Sequence, residues 1–392
     1  MLNAVFLTRV TKIHLFLYET FKRSDKSREI TFSCGVHHVR KRQSHSFKAG
    51  SPWSVLFFGQ DECSMESLRG LYNEYKAERL CRLEVATVPT RKRNFVRQFA
   101  EEKGLVINEW PLATNPQGFH IGIVVCFGHL IPLSIINSFP FGMLNIHFSL
   151  LPRWRGASPD IYALMNGDTQ TGITIMKVAE KFDTGDIVAQ EKTDIHADET
   201  RPELNMKLAK LGANVLIDVI RKLPQVLSSS RPQGKVGITY GNLSLLLSNK
   251  IHWYLNYFTN ISRWLHFVAP KITSKIAVVK WDEMTAKNVY DLHRALLGSY
   301  SLKTKFDGTG IKLLDVRQTS ISSTGVKNAD VPGFAKFDWK SKQLIVTCKG
   351  PSWISVTKVI VEKRSVMSAQ AFANGFILGR KKDGILFQSN IT

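Results

Sequence analysis

Short apolar runs alternate with amphipathic stretches in the N-terminal half of the chain. The run VLFF (55–58) precedes SMESLRGLYNEY (64–75), whose apolar residues recur at helical spacing. The runs LEVATV (83–88) and IGIVVCFG (121–128) flank a second helical pattern, FVRQFAEEKGL (95–105). Apolar strands that alternate with helices are typical of a parallel sheet covered on both faces. We predict an α/β domain with a Rossmann-like parallel sheet and a ligand site at the carboxyl ends of its strands.

The turn after the first predicted strand argues against a dinucleotide site. It has the sequence GQDECS, from Gly59 to Ser64. A dinucleotide-binding domain carries G-x-G-x-x-G at this turn, because glycines let the backbone approach the pyrophosphate. That phosphate cradle is missing.

The pattern changes after about residue 230. Val289, Leu292 and Leu296 mark a short helix, and the runs IKLLDV, FAKFDW, QLIVTC and WISVTKVIV follow, separated by turn-forming residues. This pattern predicts a small antiparallel β-barrel of OB-like type. The predicted divisions are a leading segment (1–50), a catalytic domain (51–230), a linker (231–280) and a C-terminal barrel domain (281–392).

Positive charge is concentrated at the two ends of the chain. The 392 residues carry a formal net charge of +21. Residues 1–50 hold ten Lys or Arg and three acidic residues, and residues 269–392 hold twenty and nine. The middle of the chain is nearly balanced. Such a distribution indicates a polyanionic partner, an organelle-targeting segment, or both.

The first 23 residues resemble a mitochondrial transit segment. They mix apolar residues with Arg9, Lys12, Lys22 and Arg23, and no acidic residue precedes Glu19. A secretory signal is disfavoured because basic residues interrupt the apolar run. We therefore expect a mitochondrial matrix protein, with a solvated basic tail as the alternative.

The cysteines and the overall hydropathy exclude several classes. The five cysteines are scattered and form no C-x-x-C pair, which argues against a disulfide scaffold or a zinc site. No stretch reaches the ~18 uninterrupted apolar residues of a membrane-spanning helix. We expect reduced thiols, no metal, no membrane partner and a monomer.

The segment FGMLNIHFSLLPRWRGASP (141–159) contains the clearest candidate chemistry. If MLNIH is a strand, Asn145 and His147 point to the same face. Downstream, Asp183 lies in a turn after a further apolar strand, and that turn can return its carboxylate to the imidazole. Taken singly, these residues have ordinary explanations, a strand-end histidine bonded to backbone and a turn-forming aspartate.

The order and spacing of a larger set of residues is much more specific. From Asn145 to Ile187 the chain contains N-x-H-x-SLLP-x-x-RG-x-x-P, then G-D-x-x-TG-x-TI, then D-x-G-x-I. This set resembles the folate-dependent formyltransferase family and, within it, the branch that acts on methionyl-tRNA. The segment VMSAQAFANGF (366–376) is similar to the family's closing M-S-A-x-D-F-x-x-G. The resemblance covers about residues 54–240 and 269–377.

The resemblance implies a reaction and three catalytic residues. The donor would be 10-formyltetrahydrofolate, and the acceptor the α-amine of methionine on initiator tRNA, which gives N-formylmethionyl-tRNA for organellar translation initiation. Asn145 and His147 would donate hydrogen bonds to the formyl oxygen as it gains negative charge. Asp183 would orient His147 and help to remove the amine proton, directly or through a water. No metal is required.

The resemblance also implies binding residues. One group matches the family's folate-contacting loop: Ser149, Leu150, Leu151 and Pro152. A second group, at an apolar strand end, is expected to wall the pterin pocket: Cys126, Phe127 and Gly128. A third group is a basic loop at the position where the family probes the acceptor end of tRNA: Arg91, Lys92 and Arg93. This loop is short here, and a plain solvated loop is the alternative.

One segment departs from the family pattern. A Thr-Tyr pair normally runs directly into Ala-Pro-Lys, but here Tyr240 and Ala269 are separated by the 28 residues 241–268. A structureless segment of this length is unusual inside a compact domain. The flanking Gly-Asn and Val-Ala pairs are compatible with splice-site codons, so removal of 241–268 restores the pattern in frame. We interpret the segment as a retained intron or gene-model error; the alternative is a genuine surface insertion that enlarges the linker.

Three other functions are compatible with the same fold. The protein could hydrolyse formyl-folate to release formate, or formylate a sugar or ribonucleotide amine, or bind RNA without catalysis. The basic barrel domain favours the tRNA substrate, since a small acceptor does not require it. The presence of Asn145, His147 and Asp183 together argues against the catalytically silent alternative.

Overall fold

The computed structural model describes residues 52–89, 94–234, 238, 272–320, 330–378 and 383–389. Three sequence-based predictions lie outside these residues: the transit segment within 1–50, the basic loop Arg91, Lys92 and Arg93, and the inserted segment 241–268.

Seven strands form the sheet of the first domain, in the order β3-β2-β1-β4-β5-β6-β7. Strands β1 to β5 pair in parallel, and β6 and β7 pair antiparallel. In chain order the strands are β1 (Trp53–Phe58), β2 (Leu80–Thr87), β3 (Ile107–Glu109), β4 (Ile121–Val125), β5 (Met143–His147), β6 (Gln170–Lys177) and β7 (Ile187–Asp194).

Both faces of this sheet are buried, which explains the continuous apolar runs. Along β1, Val55 and Phe57 enter one core while Leu56 and Phe58 enter the other. The covering helices are α1 (Met65–Lys76), α2 (Phe95–Lys103), α3 (Leu133–Ile136), α4 (Pro159–Met165), α5 (Arg201–Arg221) and α6 (Gln225–Ser228). The predicted Rossmann-like architecture is confirmed.

The strand order places a crevice at the ends of β1 and β4. The chain moves from β1 to β2 on one side and returns through β4 to the other side of β1. In open α/β sheets, ligands bind outside the carboxyl ends of the strands at such a switch point. Strand β5 lies next to β4, so its carboxyl end borders the same crevice.

The antiparallel direction of β6 and β7 is not apparent in the sequence pattern. Strand β6 runs back along β5, with His147 opposite Thr174. The loop 178–186 then joins β6 to β7 and carries Asp183. An apolar run indicates burial but not strand direction, so the antiparallel edge of this largely parallel sheet was not part of the prediction.

The second domain is an antiparallel barrel, as predicted. Its strands follow the order β14-β10-β11-β12-β9-β8, with β13 paired to β12. Gln388 and Lys305 exchange backbone hydrogen bonds of 2.8 and 3.1 Å, which join the two ends of this sheet. The elements are α7 (Ala286–Leu296), β8 (Leu302–Phe306), β9 (Thr309–Thr319), β10 (Phe334–Asp338), β11 (Gln343–Thr347), β12 (Trp353–Val361), β13 (Val366–Ser368), α8 (Ala369–Phe376) and β14 (Ile385–Leu386).

Polar contacts join the two domains beside α4 and α7. The Tyr290 hydroxyl donates to Asp198 at 2.9 Å. Arg201 donates to Asp160 at 2.8 Å and to the Ser299 hydroxyl at 2.6 Å, so one guanidinium bridges both domains. Within the described ranges, no helix has the length and hydropathy needed to cross a bilayer.

Candidate active site

Strand β5 presents Asn145 and His147 on one face of the sheet. Leu144 and Ile146 alternate with them and enter the core on the opposite face. Asn145 is half-buried, and His147 is only 6% exposed. The Asn145 carboxamide has no hydrogen-bond partner within the part of the chain that the structure describes. It is therefore free to donate to a ligand at the end of β5.

The backbone fixes the ring of His147. Its Nε2 atom lies 2.9 Å from the Trp154 carbonyl oxygen. Because a carbonyl oxygen only accepts, Nε2 carries the hydrogen of this bond. The other ring nitrogen, Nδ1, lies 3.7 Å from Oδ2 of Asp183, and the two form an ion pair when the imidazole is protonated.

Asp183 reaches the imidazole from the β6–β7 loop. Its backbone has φ 52°, in the left-handed region, where a short polar residue is tolerated better than a branched one. The Gly156 N–H donates to Oδ2 at 2.7 Å, and the side chain is 13% exposed. The structure thus brings the Asp183 carboxylate to the His147 ring, the juxtaposition expected from the turn.

Two residues outside the three catalytic candidates fix the Asp183 loop. A Cβ atom at Gly185 would lie 1.8 Å from the Lys177 carbonyl oxygen, so only glycine allows this close approach. The Gln233 amide donates to the carbonyl oxygens of Asp183 and Gly185, at 2.9 Å each. Gln233 lies 50 positions from Asp183 and belongs to no recognised motif, so its role is not apparent in the sequence.

Thr174 explains the TG-x-TI part of the motif. Its hydroxyl donates to the Ser149 carbonyl at 2.7 Å and accepts from the Leu151 N–H at 3.0 Å. The Gln190 amide donates to the Thr174 hydroxyl at 2.9 Å and to the Leu151 carbonyl at 3.0 Å. These bonds hold the loop after β5 in place. The family resemblance implies that this loop contacts folate.

The four loop residues assigned to folate differ in exposure. Ser149 and Leu151 are buried, and the Ser149 hydroxyl donates to the Arg153 carbonyl at 2.6 Å. Leu150 and Pro152 are half-buried and remain accessible to a ligand. The buried pair therefore shapes the loop, and contact with folate would come from its backbone and from the half-buried pair.

Asp168 connects the same loop to the catalytic histidine. Its carboxylate accepts two hydrogen bonds from Arg153, at 2.6 and 2.9 Å, and one from the Trp154 indole at 2.8 Å. The Arg153 guanidinium lies 4.4 Å from the centre of the Trp154 ring. Since the Trp154 carbonyl binds His147, the Gly-Asp pair of the motif helps to position the imidazole indirectly.

The three residues assigned to the pterin pocket follow the end of β4 directly. Cys126 is half-buried, Phe127 is buried against Trp110 at a ring distance of 5.2 Å, and Gly128 is exposed. A hydrogen bond with Cys63 and burial both raise the pKa of the Cys126 thiol. The thiol is therefore protonated and weakly reactive near neutral pH.

Asp61 follows β1 and is exposed. Burial of the carboxyl group by surrounding protein raises its pKa to about 6. Among the described residues, no cluster of three or more His, Cys, Asp or Glu could hold a metal ion.

The barrel domain carries lysines in an arrangement that folding alone does not favour. Lys303 on β8 lies directly opposite Lys312 on β9. Like charges in this position are destabilising. Neither lysine forms an ion pair with any residue that the structure describes. An unpaired basic pair of this kind is suited to a polyanionic ligand.

Comparisons with known proteins cover both domains. The formyl transferase family matches residues 73–220, and the formyl transferase C-terminal domain matches residues 271–377. Neither match includes the inserted segment.

Named relatives match most of the chain. The mitochondrial methionyl-tRNA formyltransferase of Rattus norvegicus is 36% identical over 348 residues, which are 86% of this chain and 82% of the relative. The mitochondrial methionyl-tRNA formyltransferase of Homo sapiens is 36% identical over 336 residues, 83% of this chain and 78% of the relative. The methionyl-tRNA formyltransferase of Roseobacter denitrificans is 33% identical over 268 residues, 68% of this chain and 73% of the relative.

Solved structures share the fold at low identity. A sugar 3N-formyl transferase, WlaRD, determined with dTDP and 5-N-formyl-tetrahydrofolate, has a TM-score of 0.54 at 17% identity and covers 80% of this chain and 99% of its own. HypX from Aquifex aeolicus, determined with tetrahydrofolic acid, has a TM-score of 0.51 at 14% identity and covers 83% of this chain and 48% of its own. At these identities the likeness concerns the fold alone.

Proposed function

Because this chain belongs to the formyl transferase family, we propose that it formylates methionyl-tRNA in the mitochondrial matrix, with 10-formyltetrahydrofolate as donor and as a monomeric enzyme. Family profiles match both domains, and its named relatives are methionyl-tRNA formyltransferases. The observation that carries the chemistry is the arrangement at the end of β5, where a free carboxamide and an oriented imidazole adjoin a carboxylate.

Asn145 stabilises the transition state. When an amine attacks a formyl carbon, negative charge develops on the formyl oxygen. A positioned N–H donor lowers the energy of that state most when the donor does not have to leave another partner. The Asn145 amide meets this condition, since no described residue accepts a hydrogen bond from it.

His147 and Asp183 have separate roles: His147 donates a hydrogen bond to the formyl oxygen, and Asp183 accepts the amine proton. With Nε2 bound to Trp154, a protonated His147 directs its Nδ1–H towards the site as a second donor to the formyl oxygen. Asp183 receives the Gly156 N–H at Oδ2, which leaves Oδ1 without a partner among the described residues. Oδ1 accepts the amine proton, directly or through one water. The nitrogen that leaves the formyl carbon takes up the equivalent proton.

The crevice fits a folate donor that supplies the formyl group. Leu150 and Pro152 are accessible on a loop that Thr174 and Gln190 hold in place. Cys126, Phe127 and Gly128 would form the neighbouring apolar wall, and the Asp61 carboxylate lies near enough to raise the pKa of the Cys126 thiol. A planar ring with polar edges matches this combination of apolar surface and hydrogen-bonding groups.

The basic barrel supports tRNA as the carrier of the acceptor amine. Phosphate contacts from lysines give strong, salt-sensitive binding to nucleic acid. A sugar amine, the acceptor class of the WlaRD relative in fold, offers no comparable polyanion. The mitochondrial names of the Rattus norvegicus and Homo sapiens relatives support a mitochondrial location, and the resemblance of residues 1–23 to a transit segment supports the matrix.

An acceptor competition assay tests the proposal. The protein is supplied with labelled 10-formyltetrahydrofolate and with methionyl-tRNA, uncharged tRNA or an amino sugar nucleotide. We expect the label to appear only on methionyl-tRNA. Label on the sugar would support the sugar-amine alternative, and release of formate in all three reactions would support hydrolysis. Binding of tRNA without any turnover would support the silent alternative.

A further inference from the structure

The first residues of the interdomain linker return to the catalytic loop. Arg231 exchanges backbone hydrogen bonds of 2.8 and 2.9 Å with Ile187, the first residue of β7. Two residues later, Gln233 places its side chain beneath the Asp183 loop. This stretch follows α6 and therefore belongs to the exit from the catalytic domain rather than to its folate-binding loops.

The Gln233 carboxamide is held at both ends. Its Nε2 atom donates to the carbonyl oxygens of Asp183 and Gly185, at 2.9 Å each. Its Oε1 atom accepts from Nε and one terminal nitrogen of Arg155, at 3.0 and 2.6 Å. Arg155 is 8% exposed and follows Trp154, whose carbonyl binds His147. One amide thus links the backbone of the Asp183 loop to the side chain of Arg155, the residue after Trp154.

This link has a consequence for the catalytic geometry. Asp183 has a left-handed backbone and belongs to a loop with few regular hydrogen bonds, so its carboxylate needs external support. Among the described residues, only the Gly156 N–H donates a hydrogen bond to Oδ2. If the two carbonyl bonds from Gln233 are lost, the loop can rotate and carry the carboxylate away from Nδ1 of His147.

We propose that Gln233 is a positioning residue that fixes Asp183 against His147, so that the start of the interdomain linker controls the proton-transfer geometry. The proposal rests on the proposed formyl transfer. The positioning role differs from a packing role, because positioning requires both hydrogen-bonding ends of the Gln233 amide and packing requires only the volume of the side chain.

The chain contains a matched comparison in Gln190. Its Nε2 atom also donates two hydrogen bonds, but to Thr174 and to the Leu151 carbonyl of the loop assigned to folate. Replacement of Gln190 by alanine should therefore raise the KM for the donor and change kcat little. Replacement of Gln233 should instead lower kcat and change the donor KM little. The exposed Gln370 on α8 provides a neutral control.

The experiment compares Gln233→Ala, Gln233→Met, Gln190→Ala and Gln370→Ala in the full chain. We expect both Gln233 variants to lose about 10- to 100-fold in kcat, less than the about 10²- to 10⁴-fold that proton transfer contributes because Asp183 is misplaced rather than removed, with the donor KM nearly unchanged. Methionine keeps the length of glutamine without its polar atoms. Wild-type kcat in Gln233→Met would show that only volume matters and would overturn the proposal.

A second readout does not depend on turnover. The Gly156 amide hydrogen, which is bound to Asp183, should exchange faster with solvent in both Gln233 variants and at the wild-type rate in Gln190→Ala. Unchanged Gly156 exchange in a folded Gln233 variant would overturn the proposal even if kcat fell. If the wild type does not formylate methionyl-tRNA, the proposed function fails, while the exchange measurement still decides the role of Gln233.

Discussion

His147 and Asp183 face each other across 3.7 Å, measured from Nδ1 to Oδ2, which is too long for a direct hydrogen bond. The imidazole is instead oriented by the Trp154 carbonyl, and the carboxylate by the Gly156 N–H. This differs from the expectation that Asp183 itself orients the ring. Because backbone groups position both side chains, Nδ1–H of a protonated His147 remains available to the formyl oxygen and the Asp183 carboxylate remains available to the amine proton.

The first prediction concerns these two residues. Asp183→Asn and His147→Ala should each lower kcat by about 10²- to 10⁴-fold, because each removes one partner in proton transfer and charge stabilisation. The affinity for the folate donor should change little, since neither residue supports the loop at Ser149 to Pro152. Steady-state kinetics combined with calorimetric folate binding measures both quantities.

Asp186 provides the control for this prediction. It lies in the same loop, and its carbonyl accepts the Lys177 N–H, while its carboxylate has no described contact with His147. Asp186→Asn should retain nearly full activity. A near-normal kcat in Asp183→Asn or His147→Ala would remove that residue from the mechanism.

The second prediction tests Asn145 as a donor to the formyl oxygen. Asn145→Ala should lower kcat by about 10²- to 10³-fold, the loss typical when one oxyanion donor is removed. Asn145→Asp should lose at least as much, because a carboxylate repels the developing negative charge. Asn137, an exposed residue at the end of α3, serves as the control in the same assay. If alanine at 145 supports normal turnover, the oxyanion is stabilised elsewhere.

Much of the architecture was predictable, because buried apolar residues recur periodically along the sequence. The runs MLNIH and WISVTKVIV match the bounds of β5 and β12, and the change from strands separated by helical stretches to strands separated by turns identified the barrel. Strand direction has no such signature in the sequence, so the antiparallel pairing of β6 and β7 is seen only in the fold.

The supporting residues of the site were harder to predict. Asp168 and Thr174 were recognised only as motif positions, and their contacts with Trp154 and Ser149 appear only in three dimensions. Gln233 was missed altogether, because its partners lie about 50 positions away and a single glutamine before a linker carries no pattern. Catalytic side chains can be predicted from residue type and spacing in the sequence. The groups that orient them come together only in the folded chain.

The third prediction concerns stability against pH. Glu74, in α1, accepts hydrogen bonds from Arg79 and from Arg221 of α5, at distances from 2.6 to 3.1 Å. The hydrogen bond from Arg79, followed by the contact with Arg221, lowers the pKa of Glu74 to about 2. A lowered carboxyl pKa contributes stability above the unfolded-state value, here 4.5, and that contribution is lost as the pH falls towards 2.

Urea unfolding between pH 7 and pH 3 measures this contribution. Glu74→Gln should lower the free energy of unfolding at pH 7 by about 1–3 kcal/mol, the range for hydrogen bonds to charged groups. It should also flatten the decline in stability below about pH 4.5. Glu62→Gln, at an exposed position, should behave as the wild type. An unchanged acid slope in Glu74→Gln would show that other groups determine the acid sensitivity.

The fourth prediction uses the facing lysines of the barrel. Lys312→Ala removes repulsion from Lys303, so it should raise the free energy of unfolding by about 0.2–1 kcal/mol. The same change should raise the KM for methionyl-tRNA and reduce the slope of binding against salt concentration by about one. The substitution should thus stabilise the fold and weaken tRNA binding at the same time, whereas loss of a purely structural residue would destabilise the fold.

Lys103 provides the control for the lysine experiment. It belongs to the catalytic domain and is paired with Glu102 at 2.8 Å. Lys103→Ala should leave the salt dependence of tRNA binding unchanged. If Lys312→Ala also leaves that slope unchanged, the face formed by β8 and β9 does not contact the phosphate backbone.

The inserted segment 241–268 lies outside the described residues, between the ranges that match the two family domains. We propose that it is a retained intron or a gene-model error, because its removal joins Tyr240 to Ala269 in the family pattern. Sequencing of the transcript across this junction tests the idea directly. A mature transcript that encodes all 28 residues would show a genuine insertion in the linker.

The central claim is formyl transfer to methionine carried on tRNA. The most direct measurement is the yield of N-formylmethionine released from initiator tRNA after incubation with 10-formyltetrahydrofolate and the protein, with and without residues 241–268. We predict formylation by the protein that lacks the segment, at a rate that falls as salt is raised, and loss of the product in His147→Ala. Absence of N-formylmethionine from both folded forms, with intact binding of folate and tRNA, would contradict the account.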